Sequence, residues 1–443
     1  MDPRLRGDDV CQILRNQQSN KGSRMKILLI GSGGREHALA WTLSRSHHKP
    51  ELYFAPGNPG MRELGLRLDL QIDDIEGLLQ FAQREQIDLT IVGPELPLAL
   101  GLADQFRAAG LAVFGPGKAG AQLESSKAFA KEFMQAARVP TAQFQFCQNQ
   151  ETALRALEAF SPPYVIKEDG LAGGKGVTVA ATKEEAVAAI ERANQKNMPV
   201  VIEEFLAGKE LSVFVFCDGE TLLPCIAAQD FKRIGEGDTG LNTGGMGAYA
   251  PVPLATPELI EHIKNKVLKP IQLGLKAQNL PYQGLLYVGL MVSPTGECKV
   301  IEFNARFGDP ETQVVLPLLA DDLVDIMLAT VQGRLHEYAA KGIQFKEGCS
   351  AVTVVLASEG YPGEIHTGKP IAFPQYLPQN AHVFHAGTKV LPDQSKVTAG
   401  GRVLNITGEG RTIEEARQAA YDVVKLIRFD GKTYRRDIAA NPS

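Results

Sequence analysis

A chain of 443 residues with a net charge of −5 has room for roughly two to four domains, and it lacks the basic excess that nucleic acid or an anionic membrane surface would call for. Hydrophobic residues make up 44% and charged residues 22%, enough for buried cores, while no apolar run reaches the ~18–20 residues of a membrane helix. The six cysteines are scattered without a C-x-x-C pair, which argues against a disulfide framework or a cysteine zinc site and predicts reduced thiols in a cytoplasmic protein.

Residues 1–24 are polar with no apolar stretch, so they read as a disordered extension rather than a secretory signal. Periodicity starts at Met25. A strand at 26–30 runs into Gly31-Ser32-Gly33-Gly34 and a helix over 35–46. A strand, a glycine turn and a helix start form an anion site. The motif departs from a dinucleotide fingerprint, because Glu36 stands at the third glycine position and no acid follows the strand at 52–55. Further strands at 89–92 and 112–114 alternate with helices ending at Arg84 and Ala109. This alternation predicts a parallel, Rossmann-like sheet over 25–124 with ligands at the strand ends, at Gly31–Glu36 and Gly93-Pro94-Glu95.

A second domain is expected over 125–340. Ser125 can cap a helix to about Ala137. Strands at 164–167 and 178–180 flank a glycine-rich hairpin containing Gly173, Gly174, Lys175, Gly176 and Val177. Its backbone N–H groups can wrap phosphate, and Lys167 and Lys175 favour that reading over a plain flexible tip. It is not a Walker A loop, since a glycine and a strand follow Lys175. After a strand at 200–204, Glu203, Glu204, Phe205, Leu206 and Glu210 can form a purine slot, although Glu203 and Glu204 could equally be a solvated strand end. The polar, glycine-rich loop over 229–247 reads as functional. A long helix starts at Thr256-Pro257, and strands follow at 285–292 and 298–303.

The stretch Val300 to Gln313 says most. Strand alternation would put Glu302, Asn304 and Arg306 on one face and Ile301, Phe303 and Ala305 on the other. A carboxylate beside a carboxamide offers hard oxygen ligands for Mg2+, and Arg306 can hold an anion. An ordinary amphipathic strand would show the same pattern, so the weight comes from the motifs upstream. From about 345 to 443 the chain reads as a small α+β domain with a Thr412/Glu415 capping box on its last helix.

Together the glycine flap, the acid–apolar hinge and the Glu-x-Asn strand resemble an ATP-grasp nucleotide site. The run Arg306-Phe307-Gly308-Asp309-Pro310-Glu311-Thr312-Gln313 is similar to the signature of the phosphoribosylamine–glycine ligase family, also called glycinamide ribonucleotide synthetases. Matching stretches lie at 30–41, 93–95, 167–177, 238–249 and 434–438. The resemblance implies that glycine, 5-phosphoribosylamine and ATP, with Mg2+ or Mn2+, give glycinamide ribonucleotide, ADP and phosphate through glycyl phosphate. The implied partners are these small molecules, with no nucleic acid and no membrane, acting on a monomer.

The implied roles follow residue by residue. Glu302 and Asn304 hold the metal. Lys127, Lys167, Gly173, Gly174, Lys175, Gly176, Val177, Glu203, Glu204, Phe205, Leu206 and Glu210 hold ATP. Gly33, Gly34, Arg35, Glu36, Pro94, Glu95, Asp238, Thr239, Asn242, Thr243, Gly244, Gly245, Met246, Arg306 and Asp309 frame the other substrates. Arg306, Lys175 and Asp238 are the catalytic candidates. Two positions depart from the family pattern: Phe231 stands where His is usual and Leu241 where Pro is usual, so position 231 cannot act as a general base here. The competing readings are another ATP-grasp ligase and, from other classes, a non-catalytic nucleotide-binding protein or a dehydrogenase.

Overall fold

The computed structural model describes residues 24–171, 173 and 176–442. Of the extension expected over 1–24, only Arg24 falls among the described residues, and Gly174 and Lys175 lie outside them. The counts below refer to described residues.

The first sheet is built from β1 (Lys26–Gly31), β2 (Glu51–Pro56), β3 (Leu66–Arg67), β4 (Leu89–Val92) and β5 (Val113–Phe114), in the order β3-β2-β1-β4-β5 with all pairs parallel. Ile27, Leu28, Leu29 and Ile30 are all fully buried, as a parallel strand covered on both faces requires. The single helix expected up to Ala109 is two, Glu95–Ala99 and Leu102–Ala108, parted by Gly101 at φ +88°. An L side chain rarely adopts that angle, and the glycine makes the break cheap.

A smaller antiparallel sheet follows: β6 (Phe144–Cys147), β7 (Tyr164–Glu168), β8 (Val177–Ala180) and β9 (Val200–Glu204), ordered β6-β9-β7-β8. Helices Gln150–Ala156 and Lys183–Gln195 cover one face, where Tyr164 and Ile166 join a core with Ala186, Ile190 and Ile202. Strand alternation turns Val165 and Lys167 to the opposite face, toward the cleft.

The largest sheet contains β10 (Lys209–Cys217), β11 (Leu222–Asp230), β14 (Gly247–Ala250), β15 (Gly284–Val292), β16 (Cys298–Asn304), β17 (Ser350–Ala357), β18 (Ala381–His385) and β21 (Arg402–Gly410). Its order is β16-β15-β10-β11-β14-β17-β21-β18. Two ribbons stand apart from it, β12 (Arg233–Gly235) with β13 (Thr239–Asn242), and β19 (Thr388–Val390) with β20 (Lys396–Thr398). The C-terminal segment therefore continues the central sheet through β14 and β17, across the boundary expected near 345. One core holds Val213 and Leu286 from one side and Val354 and Ile406 from the other.

Two local expectations change. The helix Lys127–Ala137 is capped by Ser126, whose hydroxyl accepts the Phe129 N–H at 3.1 Å, whereas Ser125 ends the preceding helix. On β16, Gly289 pairs with Glu302 but Leu290 with Val300, so Ile301 is an extra, bulged residue. The bulge breaks the simple alternation. Val300 goes to the core, Phe303 packs in the core and borders the cleft, and Ile301 joins Glu302 and Asn304 on the cleft.

The cap expected at Thr412 is present, and Asp74, Thr182 and Thr256 cap their helices in the same way, each side chain accepting an N–H of its helix's first turn. No described helix is long and apolar enough to cross a membrane. Cys147, Cys217, Cys225, Cys298 and Cys349 are free thiols.

Candidate active site

The three sheets meet around a cleft of about 870 Å³, within the range of small-molecule sites. Between the small sheet and the central one, Val165, Leu206, Met291, Ile301 and Phe303 line an apolar slot. Such a slot suits a planar base, and Glu203, Glu204, Phe205 and Glu210 also line the cleft.

Beside the slot lies a group of lysines. Lys167 Nζ is 2.9 Å from Glu203 Oε1 and donates to the Ile301 carbonyl at 2.9 Å. Lys131 Nζ is 3.0 Å from Glu203 Oε2 and donates to Thr141 Oγ1 at 2.7 Å. Glu203 is thus a buried bridge between two ammonium groups, and its first role is to hold their positions. Burial pulls the Lys131 pKa down to about 8, against the attraction of Glu203. Lys127 Nζ donates to the Gly170 carbonyl at 2.8 Å, and Asp169 accepts the Lys127 backbone N–H at 2.6 Å. The lysine-bearing helix is thereby tied to the root of the glycine flap. Gly173, Gly176 and Val177 line the cleft.

Glu302 and Asn304 face these lysines from β16. Burial alone would raise the Glu302 pKa, but Lys232, Lys167, Lys127 and Arg306 outweigh it and hold the carboxylate below its usual range. Among the described residues no cation takes Glu302 in a close pair. Lys232 Nζ, at 3.8 Å, prefers Glu210 at 2.6 Å, and the Glu302 side chain stays 34% exposed. An ionised carboxylate open to the cleft beside a carboxamide is the hard-oxygen set that fits Mg2+ or Mn2+.

At the far end, Arg306 NH2 lies 2.7 Å from Glu124 and Arg306 Nε 3.2 Å from Glu95. Burial works against its charge, but Glu124 and Glu95 prevail and keep the guanidinium firmly protonated. Burial raises the Glu124 carboxyl, whereas Arg306 and Arg35 overcome burial at Glu95 and hold it low. Asp309 accepts from Gln313 at 2.8 Å and pairs with Arg402 at 3.1 Å. Arg402 also donates to the Gly244 and Asp309 carbonyls, at 2.5 and 2.8 Å. Residues from the first sheet, the loop after β13 and β21 thus converge on one wall.

Not every expected contact reaches the cleft. Arg35, Pro94, Glu95, Asn242, Thr243 and Gly244 line it, but Gly33, Gly34, Glu36, Thr239, Gly245 and Met246 do not. Glu36 is consumed locally: it accepts the Gly33 N–H at 2.6 Å and the Arg35 Nε–H, and it fills the space that glycines 31 and 93 leave open. Gly33 is engaged through its carbonyl, which accepts from His37 N–H at 3.1 Å and Asn58 Nδ2 at 3.2 Å. Gly34 abuts Asn405, whose amide would lie 2.1 Å from any Cβ there. Thr239 donates to the Glu236 carbonyl at 2.9 Å, and Gly245 packs against Pro310. Met246 is wholly buried in the central core. Asp238 lines the rim but pairs with Arg435 at 2.7 Å, so it anchors its loop instead of standing free as a base.

Sequence reasoning missed Lys131, Glu124, Lys232 and Arg402. Lys131 had a signal, since it lies one helical turn after Lys127 on the same face. Arg402 had none, being separated from Gly244 by 158 residues.

Three family models match in order: the N domain of phosphoribosylglycinamide synthetase over 25–124, its ATP-grasp (A) domain over 125–312 and its C domain over 351–441. The phosphoribosylamine–glycine ligase of Nostoc sp. (strain PCC 7120) is 50% identical over 422 residues, covering 94% of this chain and 99% of that protein. The solved phosphoribosylamine–glycine ligase of Thermotoga maritima is 35% identical with a TM-score of 0.80, covering 94% of this chain and 100% of that one. The biotin carboxylase domain of Hydrogenobacter thermophilus 2-oxoglutarate carboxylase, solved with MgADP, superposes with a TM-score of 0.70 at 17% identity over 92% of this chain and 91% of that one, a likeness of fold alone. By its three matched domains and its full-length relatives, this chain belongs to the phosphoribosylglycinamide synthetase family.

Proposed function

We propose that this chain is an ATP-dependent carboxylate–amine ligase that joins glycine to 5-phosphoribosylamine. The observation that carries the reading is the single cleft that joins a lysine-lined nucleotide slot, the Glu302–Asn304 oxygen pair and the Arg306–Asp309 wall. Full-length relatives at about half identity bearing that activity in their names support it.

In the first step a glycine carboxylate oxygen bonds to the γ-phosphorus of ATP and ADP leaves, giving glycyl phosphate. In the second, the ribosylamine nitrogen attacks the glycyl carbonyl, phosphate leaves and the nitrogen loses one proton. Neither step needs a protein nucleophile, so catalysis is positioning and charge stabilisation. Glu302 and Asn304 would hold Mg2+ or Mn2+, which supplies neutralisation of phosphate charge. Lys127 and Lys167 hold phosphates, with Lys167 fixed by Glu203. The slot around Val165, Leu206 and Phe303 takes the base. Arg306, kept charged by Glu95 and Glu124, steadies the transferring phosphoryl and the acyl phosphate. Arg35, Asn242, Thr243 and Asp309 frame the glycine and ribosylamine end. Gly173, Gly176 and Val177 cover the phosphate end of the cleft and keep water from glycyl phosphate. All named groups come from one chain, and we take the working unit to be a cytoplasmic monomer.

Glycine labelled with oxygen-18 in its carboxylate tests the chemistry. Each turnover should deliver one labelled oxygen into the released phosphate. Unlabelled phosphate would exclude an acyl phosphate.

A further inference from the structure

The turn after the helix Gly34–Leu43 carries two adjacent histidines, His47 and His48, which no part of the ligase mechanism uses. Both face the start of the helix Leu323–Val331. Asp322, which caps that helix, has one carboxylate oxygen 2.8 Å from His47 Nδ1, and the same oxygen accepts the His47 backbone N–H at 2.9 Å. Its other oxygen accepts from Ser46 Oγ at 3.0 Å. Asp322 can only accept in this setting, so the Nδ1–H of His47 points at Asp322 and Nε2 is the ring nitrogen turned toward Asp325. That Nε2 lies 3.9 Å from Asp325 Oδ2, too far for a hydrogen bond. His48 Nε2 lies 2.7 Å from the other oxygen of Asp325. The two imidazole rings lie one over the other, with centroids 4.2 Å apart and planes tilted by 33°.

We propose that His47, His48 and Asp325 form a Zn2+ site, with Asp322 orienting His47 and water completing the shell. Among the described residues this is the one group of three or more His, Cys, Asp or Glu whose ligand atoms all lie within 4.8 Å of one another. Two neutral imidazoles and one carboxylate are a borderline-soft set that suits Zn2+ over Mg2+. Bonds of about 2.0–2.1 Å in a tetrahedral shell put neighbouring donors roughly 3.3 Å apart. The present spacings straddle that value, and the side chains involved, including a 65% exposed His47, can adjust without moving the backbone. A carboxylate holding the far nitrogen of a liganding histidine is the usual support of a zinc ligand, and Asp322 already provides it. Each histidine has its own close acid, and both Nε2 atoms converge on Asp325, at 3.9 Å from His47 and 2.7 Å from His48. The ion would clip the turn after the first helix to the helix Leu323–Val331. None of the four residues lines the catalytic cleft.

The test uses full-length protein without an affinity tag, in saturating Mg2+ so that the oxygen site in the cleft is occupied. Zinc chloride is titrated in competition with a chromophoric chelator, and Co2+ is titrated in parallel and followed by its visible absorption. The expected result is one equivalent of Zn2+ and a tetrahedral Co2+ spectrum. His47→Ala and His48→Ala should each weaken zinc binding at least about tenfold, and Asp322→Asn by about 10–100-fold. Zinc should raise the melting temperature of the natural protein but not that of His47→Ala. His47→Gln, at the same exposed position, guards against a folding artefact. Zinc affinity unchanged in both alanine variants, or no zinc bound by the natural protein, would overturn the proposal.

Discussion

Glu302 sits in a field of four cations yet makes no close pair with any, and this sets its expected behaviour. Glu302→Gln removes the charged metal donor and leaves the lysines uncompensated. Turnover should drop by about 10²–10³, and the Mg2+ concentration needed for half-maximal ADP release should rise. Lys131 differs, because it holds structure through Glu203. Lys131→Met leaves a buried carboxylate with one partner fewer, and denaturant unfolding should show a loss of about 3–5 kcal/mol. That Glu302 and Asn304 share a face was legible, because residues two apart on a strand point the same way. Glu36 misled for a physical reason: a carboxylate at a helix start can serve a ligand or its own backbone, and here it takes the Gly33 N–H.

Among the elements, the β12–β13 ribbon forms inside the glycine-rich stretch over 229–247, whose composition reads as a loop. Its hold comes from the far end of the chain. Arg435, 1% exposed, binds Asp238 at 2.7 Å and Asp437 at 2.6 Å, and Asp437 accepts the Gly237 N–H at 2.8 Å. Its guanidinium also lies 5.0 Å from the Phe231 ring centroid. Phe231, the departure from the family pattern, thus gives the clamp an aromatic face instead of a proton-transfer group. Arg435→Ala should raise the KM for glycine and ribosylamine several-fold and leave the KM for ATP near its original value, which steady-state kinetics would resolve. Equal rises for all three substrates would mean that the clamp serves general stability. The helix cap at Thr412 was readable because it is a local, single-turn device. The bulge at Ile301 was not, since it exists only against its partner Gly289.

At the scale of the whole molecule, the C-terminal segment completes the central sheet and also grips the first domain. The His385 backbone N–H donates to His37 Nδ1 at 2.8 Å, and Asn58 Nδ2 donates to the His385 carbonyl at 2.8 Å. Burial holds both imidazoles neutral, lowering His37 from 6.5 to about 3, with help from His385, and His385 to about 4. Because these bases have depressed folded pKa values, the unfolded chain binds more protons as pH falls below about 6.5, and stability falls with it. Each histidine should contribute a loss of about 1.4 kcal/mol per pH unit across that window, and none above it. Urea unfolding at a series of pH values checks this, and His37→Asn should flatten the slope. The parallel sheet of the first domain was legible from the strand–helix alternation. The shared core of the central and C-terminal segments was not, because the pairing of β14 with β17 spans about a hundred residues and no local pattern encodes it.

The proposed ligase commits ATP, glycine and 5-phosphoribosylamine together in one cleft. The direct measurement is ADP release with ATP and Mg2+, with ribosylamine generated in place, omitting each co-substrate in turn. The account predicts sustained release only when glycine and ribosylamine are both present. Sustained release without glycine, or with another acid in its place, would contradict it.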